Sequence, residues 1–267
     1  MQHTIKVNDT AFQVHTDGAG SPLVLVHGFP MDHHMWDSVV PMLAQQHTVI
    51  TPDLRGFGGS GGFCEIATME RFADDLVAIL DQMDITEPIT FAGLSMGGYI
   101  GWQMWKRHAD RLARLILLDT RAAGDDEIQA RARRVNAEGV LENGMSGVPA
   151  AMLPKLLSEA TREHRPDVVA MLTEIILRQD PRGVAAAQRG MAQRADVTAW
   201  LSEIDLPVLV LCGEADSISP VAEMRGFANQ LPEGQFVVIP AAGHMPPVEN
   251  PAATSDAILA FCQGLPA

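Results

Sequence analysis

Ile89-Thr90-Phe91-Ala92-Gly93-Leu94-Ser95-Met96-Gly97-Gly98 is the stretch on which the reading of this chain turns. Residues 89–92 form a short apolar run of the kind that makes a buried parallel strand, and the pattern over 98–108 is helical. Between them a serine stands with glycine two residues to either side. A residue at so sharp a strand-to-helix turn is held in strained backbone, and the glycines remove side chains that would collide as the chain reverses. The hydroxyl is thereby held out of the sheet. The helix that follows aims its first amides where negative charge develops on a carbonyl under attack. Ser95 is the candidate nucleophile.

The same pattern occurs at Gly58-Gly59-Ser60-Gly61-Gly62. There no strand runs in and no helix leaves, so that stretch reads as a glycine loop and Ser60 as a loop residue.

Outward from Ser95, apolar runs at 23–26, 48–50, 115–118, 208–212 and 236–239 repeat the strand signature. Helical spacing falls between them, as in Met69, Phe72, Leu76, Ile79, Leu80 and Met83. Residues 220–231 predict a helix with Ser219 as its cap, Asn250 and Pro251 open a closing helix, and residues 4–7 and 12–15 predict a hairpin around Asn8-Asp9. Alternating strands and helices imply an α/β fold: a mostly parallel sheet flanked by helices, with ligands at the carboxyl ends of its strands. Residues 121–198 break the alternation with helical patterns, breakers at Gly144, Gly147, Pro154, Pro166 and Pro181, and no strand. They predict a helical cap inserted in one domain spanning 1–267. Eleven basic and eleven acidic residues balance within the insertion, while the rest of the chain carries 8 basic against 22 acidic residues.

A serine hydroxyl needs a base at a neighbouring strand end. His244, in Ala242-Gly243-His244-Met245-Pro246 just beyond the run at 236–239, follows the serine in the required order. The imidazole in turn needs a carboxylate. Asp216, reached from the run at 208–212 through Gly213-Glu214-Ala215, is the favoured acid, and Asp119, ending the run at 115–118, is its competitor. Glu214 reads as turn or solvated surface. Two amides must receive the oxyanion, and the positions that offer them are Met96, after the nucleophile, and Phe29, in His27-Gly28-Phe29-Pro30. His27 itself reads as structural.

These motifs, together with Pro52-Asp53-Leu54-Arg55-Gly56-Phe57-Gly58, resemble the α/β-hydrolase superfamily over the whole chain. Leu118-Asp119-Thr120-Arg121-Ala122 and the short helical cap are similar to a bacterial carboxylesterase group, and also to 3-oxoadipate enol-lactonases and cofactor-free haloperoxidases. The resemblance implies the triad Ser95, Asp216 and His244, an acyl-serine intermediate and no cofactor. Haloalkane dehalogenases and epoxide hydrolases carry aspartate at the elbow where this chain has Ser95, which disfavours those activities. A serine carboxylesterase acting on small esters is the expected function. An enol-lactonase, its anionic substrate clamped by cap arginines, is the alternative, and a ligand receptor with a vestigial triad is a third reading. Pocket candidates, beside Phe29 and Met96, are Met31, Met35, Trp36, Met145, Met152 and Leu153.

Composition bounds the rest. A chain of 267 residues, 47% hydrophobic and 19% charged, can bury a full core. A net charge of −14 repels phosphate backbones and anionic lipid, so a small-molecule ester is the expected partner rather than nucleic acid or membrane. Residues 1–7 lack a basic flank before an apolar run, and no run nears ~18 apolar residues, so a soluble cytoplasmic protein is expected. The three cysteines are widely spaced, which predicts reduced thiols and neither a disulfide framework nor a zinc site. Asp32, His33 and His34 are expected at an exposed helix start with side chains that do not converge, and no metal is expected there. Oligomeric state is not written in these patterns.

Overall fold

The apolar runs assemble into one sheet. The computed structural model describes residues 1–8 and 10–264. Its strands are β1 (Gln2–Val7), β2 (Thr10–Asp17), β3 (Ser21–Val26), β4 (His47–Pro52), β5 (Ile89–Leu94), β6 (Leu112–Leu118), β7 (Val208–Gly213) and β8 (Gly234–Ile239), in the order β1-β2-β4-β3-β5-β6-β7-β8. β2 pairs antiparallel with β1 and β4, and every other pairing is parallel. This is the α/β-hydrolase fold expected from the motifs. Asn8 turns the first hairpin with φ of 46°, while Asp9 lies outside the described residues.

Strand composition follows position in the sheet. All six residues of β5 are buried, which a continuous apolar run achieves when helices cover both faces, whereas β1 at the edge alternates. The helices before the long insertion are α1 (Val40–Leu43), α2 (Met69–Gln82) and α3 (Met96–His108). α2 starts at Thr68, whose hydroxyl accepts from Arg71 N at 3.2 Å, and it packs Phe72, Leu76, Ile79 and Leu80 inward. Between β6 and β7 run five α-helices, a 3₁₀ helix (Thr198–Glu203) and no strand among the described residues, the α-helices being α4 (Glu127–Asn143), α5 (Val148–Leu156), α6 (Glu159–His164), α7 (Pro166–Leu177) and α8 (Pro181–Met191). Asp126 and Gln129 close a capping box at the start of α4, which packs on α8. The chain continues through α9 (Val221–Ala228), α10 (Pro246–Glu249) and α11 (Pro251–Cys262). No described helix is long and apolar enough to cross a membrane.

Two local expectations are corrected. Ser219 does not cap α9: the cap position is Pro220, and the Ser219 hydroxyl instead donates to Asp119 O at 3.2 Å, drawing it away from the helix. Asp32, His33 and His34 are not an exposed, diverging group. They open a short 3₁₀ turn, and their ligand atoms lie within 4.8 Å of one another. Each is already engaged. Arg178 and Gln179 bind Asp32, Asp53 Oδ1 is 2.7 Å from His33 Nδ1, and Asp37 Oδ2 is 2.8 Å from His34 Nδ1.

Candidate active site

β5 ends at Leu94 and α3 begins at Met96, so Ser95 alone makes the turn, with φ of 54° and ψ of −108°. Its backbone is pinned on both sides: Ser95 N donates to Leu118 O at 2.8 Å, and Thr120 Oγ1 donates to Ser95 O at 2.8 Å. The flanking glycines are sterically required. A Cβ on Gly93 would lie 2.3 Å from the Gly97 carbonyl, and one on Gly97 would lie 2.4 Å from Val26 O. The two glycines let helix, turn and central strands close together, and that closure holds Ser95 in its left-handed backbone.

His244 follows β8 in a loop held from two directions. Its backbone N donates to Leu156 O at 2.9 Å, and Glu249 accepts from Gly243 N at 2.7 Å through Oε1 and from Ser158 N at 2.9 Å through Oε2. The buried Glu249 therefore ties the histidine loop to the end of α5 and the start of α6. Sequence reasoning missed it; the signal was an acid closing the otherwise uncharged stretch Met245-Pro246-Pro247-Val248.

The two buried side chains His244 and Asp216 meet with Nδ1 and Oδ2 2.8 Å apart. Asp216 Oδ1 accepts from Ile218 N at 2.7 Å. Burial alone would push this carboxyl up, but the His244 hydrogen bond and charge and the amides of Ile218 and Ser219 outweigh it and hold the pKa below the ordinary value. Of the two candidate acids, Asp216 is the one bonded to His244. Asp119, fully buried, accepts from Gly213 N at 2.8 Å instead. With Nδ1 engaged, Nε2 is the imidazole nitrogen left for a reacting hydroxyl. No hydrogen bond joins Ser95 Oγ to His244 among the described residues.

The remaining site candidates divide by burial. Phe29 and Met152 line a cavity of about 430 Å³ between the β3 loop and α4, α5 and α8, together with Val148, Val184, Gln188 and Lys155. Met31, Met35 and Trp36 are wholly buried in the core, where Met35 Sδ accepts from Gly28 N at 3.2 Å. Met145 and Leu153 are buried as well. His27 holds the β3 loop in shape: its Nε2 accepts from Leu54 N at 3.0 Å, and burial keeps its pKa below the usual histidine value. Ser60 is a loop brace, donating to Asp53 O at 2.7 Å and accepting from Gln13 N at 2.9 Å. Glu214 is exposed and accepts from Ala241 N at 3.2 Å.

Comparison with known proteins bears on the fold. The sequence pattern of the alpha/beta hydrolase fold family matches residues 21–251. The 3-oxoadipate enol-lactonase 1 of Acinetobacter baylyi is 30% identical over 232 residues, covering 86% of this chain and 84% of its own. The structure of a thermophilic esterase from Thermogutta terrifontis, with malate bound, superposes with a TM-score of 0.95 at 40% identity, over 100% of this chain and 99% of the esterase. The enol-lactonase of Burkholderia xenovorans gives 0.91 at 28% identity, over 98% and 100%.

Proposed function

The chain belongs to the alpha/beta hydrolase family, and on that footing we propose that it is a carboxylesterase acting on small carboxylic esters through Ser95, His244 and Asp216. The observation that carries the reading is the buried His244–Asp216 hydrogen bond at two strand ends of the sheet whose central strand presents Ser95 on a strained turn. Ser95 Oγ attacks the ester carbonyl while His244 Nε2 takes its proton, and the oxyanion is received by the amides of Met96 and Phe29. The carbon–oxygen bond to the alcohol breaks, His244 returns the proton to it, and an acyl-serine remains. Water deprotonated by His244 then releases the acid. No metal or cofactor is used in these steps. The segment 121–198 acts as a cap over the site, and the cavity shared by Phe29 and Met152 takes part of the substrate.

An enol-lactone substrate is the second reading, favoured by the similarity to two enol-lactonases. Its carboxylate would need a cation. Lys155 lines the cavity beside Phe29 and Met152 and offers one such cation, while Arg121, Arg133, Arg178, Arg189 and Arg194 are each paired with a carboxylate. A cytoplasmic location fits the three free thiols at Cys64, Cys212 and Cys262.

Turnover of p-nitrophenyl esters of increasing acyl length, run beside 3-oxoadipate enol-lactone, tests the reading. Steady hydrolysis of short esters, lost in Ser95→Ala, supports it. Preference for the lactone turns it to the second reading, and a single acylation burst without turnover would make the protein a receptor.

A further inference from the structure

Behind the His244–Asp216 pair, Asp119 directly follows β6, with φ of 45° and its side chain wholly enclosed. One oxygen, Oδ1, accepts from Gly213 N. The other, Oδ2, is buried and has no donor facing it among the described residues. The side-chain ligand atoms of Asp119, Asp216 and Cys212 all lie within 4.8 Å of one another. Two ionised carboxylates at this separation, cut off from water, repel each other strongly, and an acceptor-only oxygen would be left unsatisfied. A proton on Asp119 removes both costs at once, because Oδ2 then becomes a donor with an acceptor beside it.

We propose that Asp119 is a positioning residue that stays protonated and donates a hydrogen bond from Oδ2 to the Asp216 carboxylate, so that the pair behind His244 carries a single negative charge. Asp216 is then held on three sides, by Asp119, by Ile218 N and by His244 Nδ1, and the rotamer that faces the imidazole is fixed. The groups that face Asp119 agree with the assignment. From β7 come the Gly213 amide and the Cys212 thiol, which burial chiefly keeps protonated; Arg225 bears on that thiol from α9. From the following loop come Asp216 and the Ser219 hydroxyl, and from α10 comes Glu249. Burial, then the charge of Asp216, push the Asp119 carboxyl far above the usual range.

The positioning role rests on the proposed function of Asp216, whereas the protonation does not, and the test separates them. Infrared difference spectra of wild type against Asp119→Asn at neutral pH should show a protonated-carboxyl C=O band, shifted by deuterium exchange, that is lost in the variant. No such band in wild type, or its persistence in Asp119→Asn, overturns the proposal whether or not the protein hydrolyses esters. Should the variant not fold, the wild-type band and its disappearance only at alkaline pH decide the matter. The role itself is read from ester turnover. Asp119→Gly suits the positive φ but removes the donor, and should lower kcat on the order of tenfold to a hundredfold, with KM little changed. Asp119→Asn, which keeps a donor toward Asp216 and an acceptor toward Gly213, should restore most of it. Equal losses in both variants would overturn the donor role.

Discussion

Arg178, just beyond α7, grips Asp32, in the loop after β3, through two hydrogen bonds of 2.7 Å, and Gln179 Nε2 adds a third at 2.9 Å. Asp32 is almost wholly buried and also caps the 3₁₀ turn that follows Phe29, through His34 N. Residues far apart in sequence thus fasten the helical segment to the loop proposed to receive the oxyanion.

Burial would raise the Asp32 carboxyl, but the Arg178 hydrogen bond and charge outweigh it and hold the pKa below its ordinary value. A depressed folded pKa adds stability above the unfolded value, which is lost as pH falls through the folded one. Arg178→Met should therefore destabilise the protein by about 1 kcal/mol at neutral pH, the low end for a buried group losing donors because the arginine is itself partly solvated. Thermal melts of the two proteins should converge as pH drops below the carboxylate range. A constant gap across pH would refute the electrostatic origin.

Asp216→Asn should keep the fold while favouring the wrong imidazole tautomer and removing the charge that stabilises the imidazolium, with a loss in kcat on the order of 10³ to 10⁴. Asp119→Asn should cost far less. Steady-state kinetics on both variants, each folded by circular dichroism, checks the assignment. A loss confined to Asp119→Asn would move the acid to β6.

Asp119 carries a linkage consequence of the opposite sign to Asp32. Its raised pKa means the folded state keeps a proton that the unfolded chain gives up above about pH 4, so stability falls as pH rises from there. Asp119→Asn removes that cost without removing the bond to Gly213. The variant should melt higher than wild type near neutrality, and its advantage should shrink toward pH 4. An advantage that is absent or reversed at neutral pH would contradict a protonated Asp119.

Glu249 accepts from Gly243 N and Ser158 N with separate oxygens, so Glu249→Gln must turn an amide donor against one of them. The cost should be about 1–3 kcal/mol, the range for a buried group left without its partner. Because Gly243 precedes His244, ester turnover should fall as well. Denaturant melts and kcat measured together check this, and an unchanged melt would remove the proposed tie.

The elbow was legible because its signals are local: an apolar strand, two glycines and a helix occupy ten consecutive residues, and the steric need for Gly93 and Gly97 arises within that turn and the strand beside it. The pairing of His244 with Asp216 was legible because sheet topology places strand ends side by side, so chain order stands in for distance. What stayed hidden depends on partners distant in sequence. Asp32, His33 and His34 read as exposed because Arg178, 146 residues away, supplies much of what engages Asp32. Glu249 was missed because Ser158, 91 residues away, is what it holds. Ser219 had the residue type of a cap, but the fold brought Asp119 O within reach of its hydroxyl.

Covalent labelling of Ser95 tests the proposed mechanism most directly. An activity-quenching fluorophosphonate should add to one serine, and peptide mapping should place the adduct on Ser95, with none formed in Ser95→Ala. An adduct on Ser60, or ester turnover that persists in Ser95→Ala, would contradict the acyl-serine account.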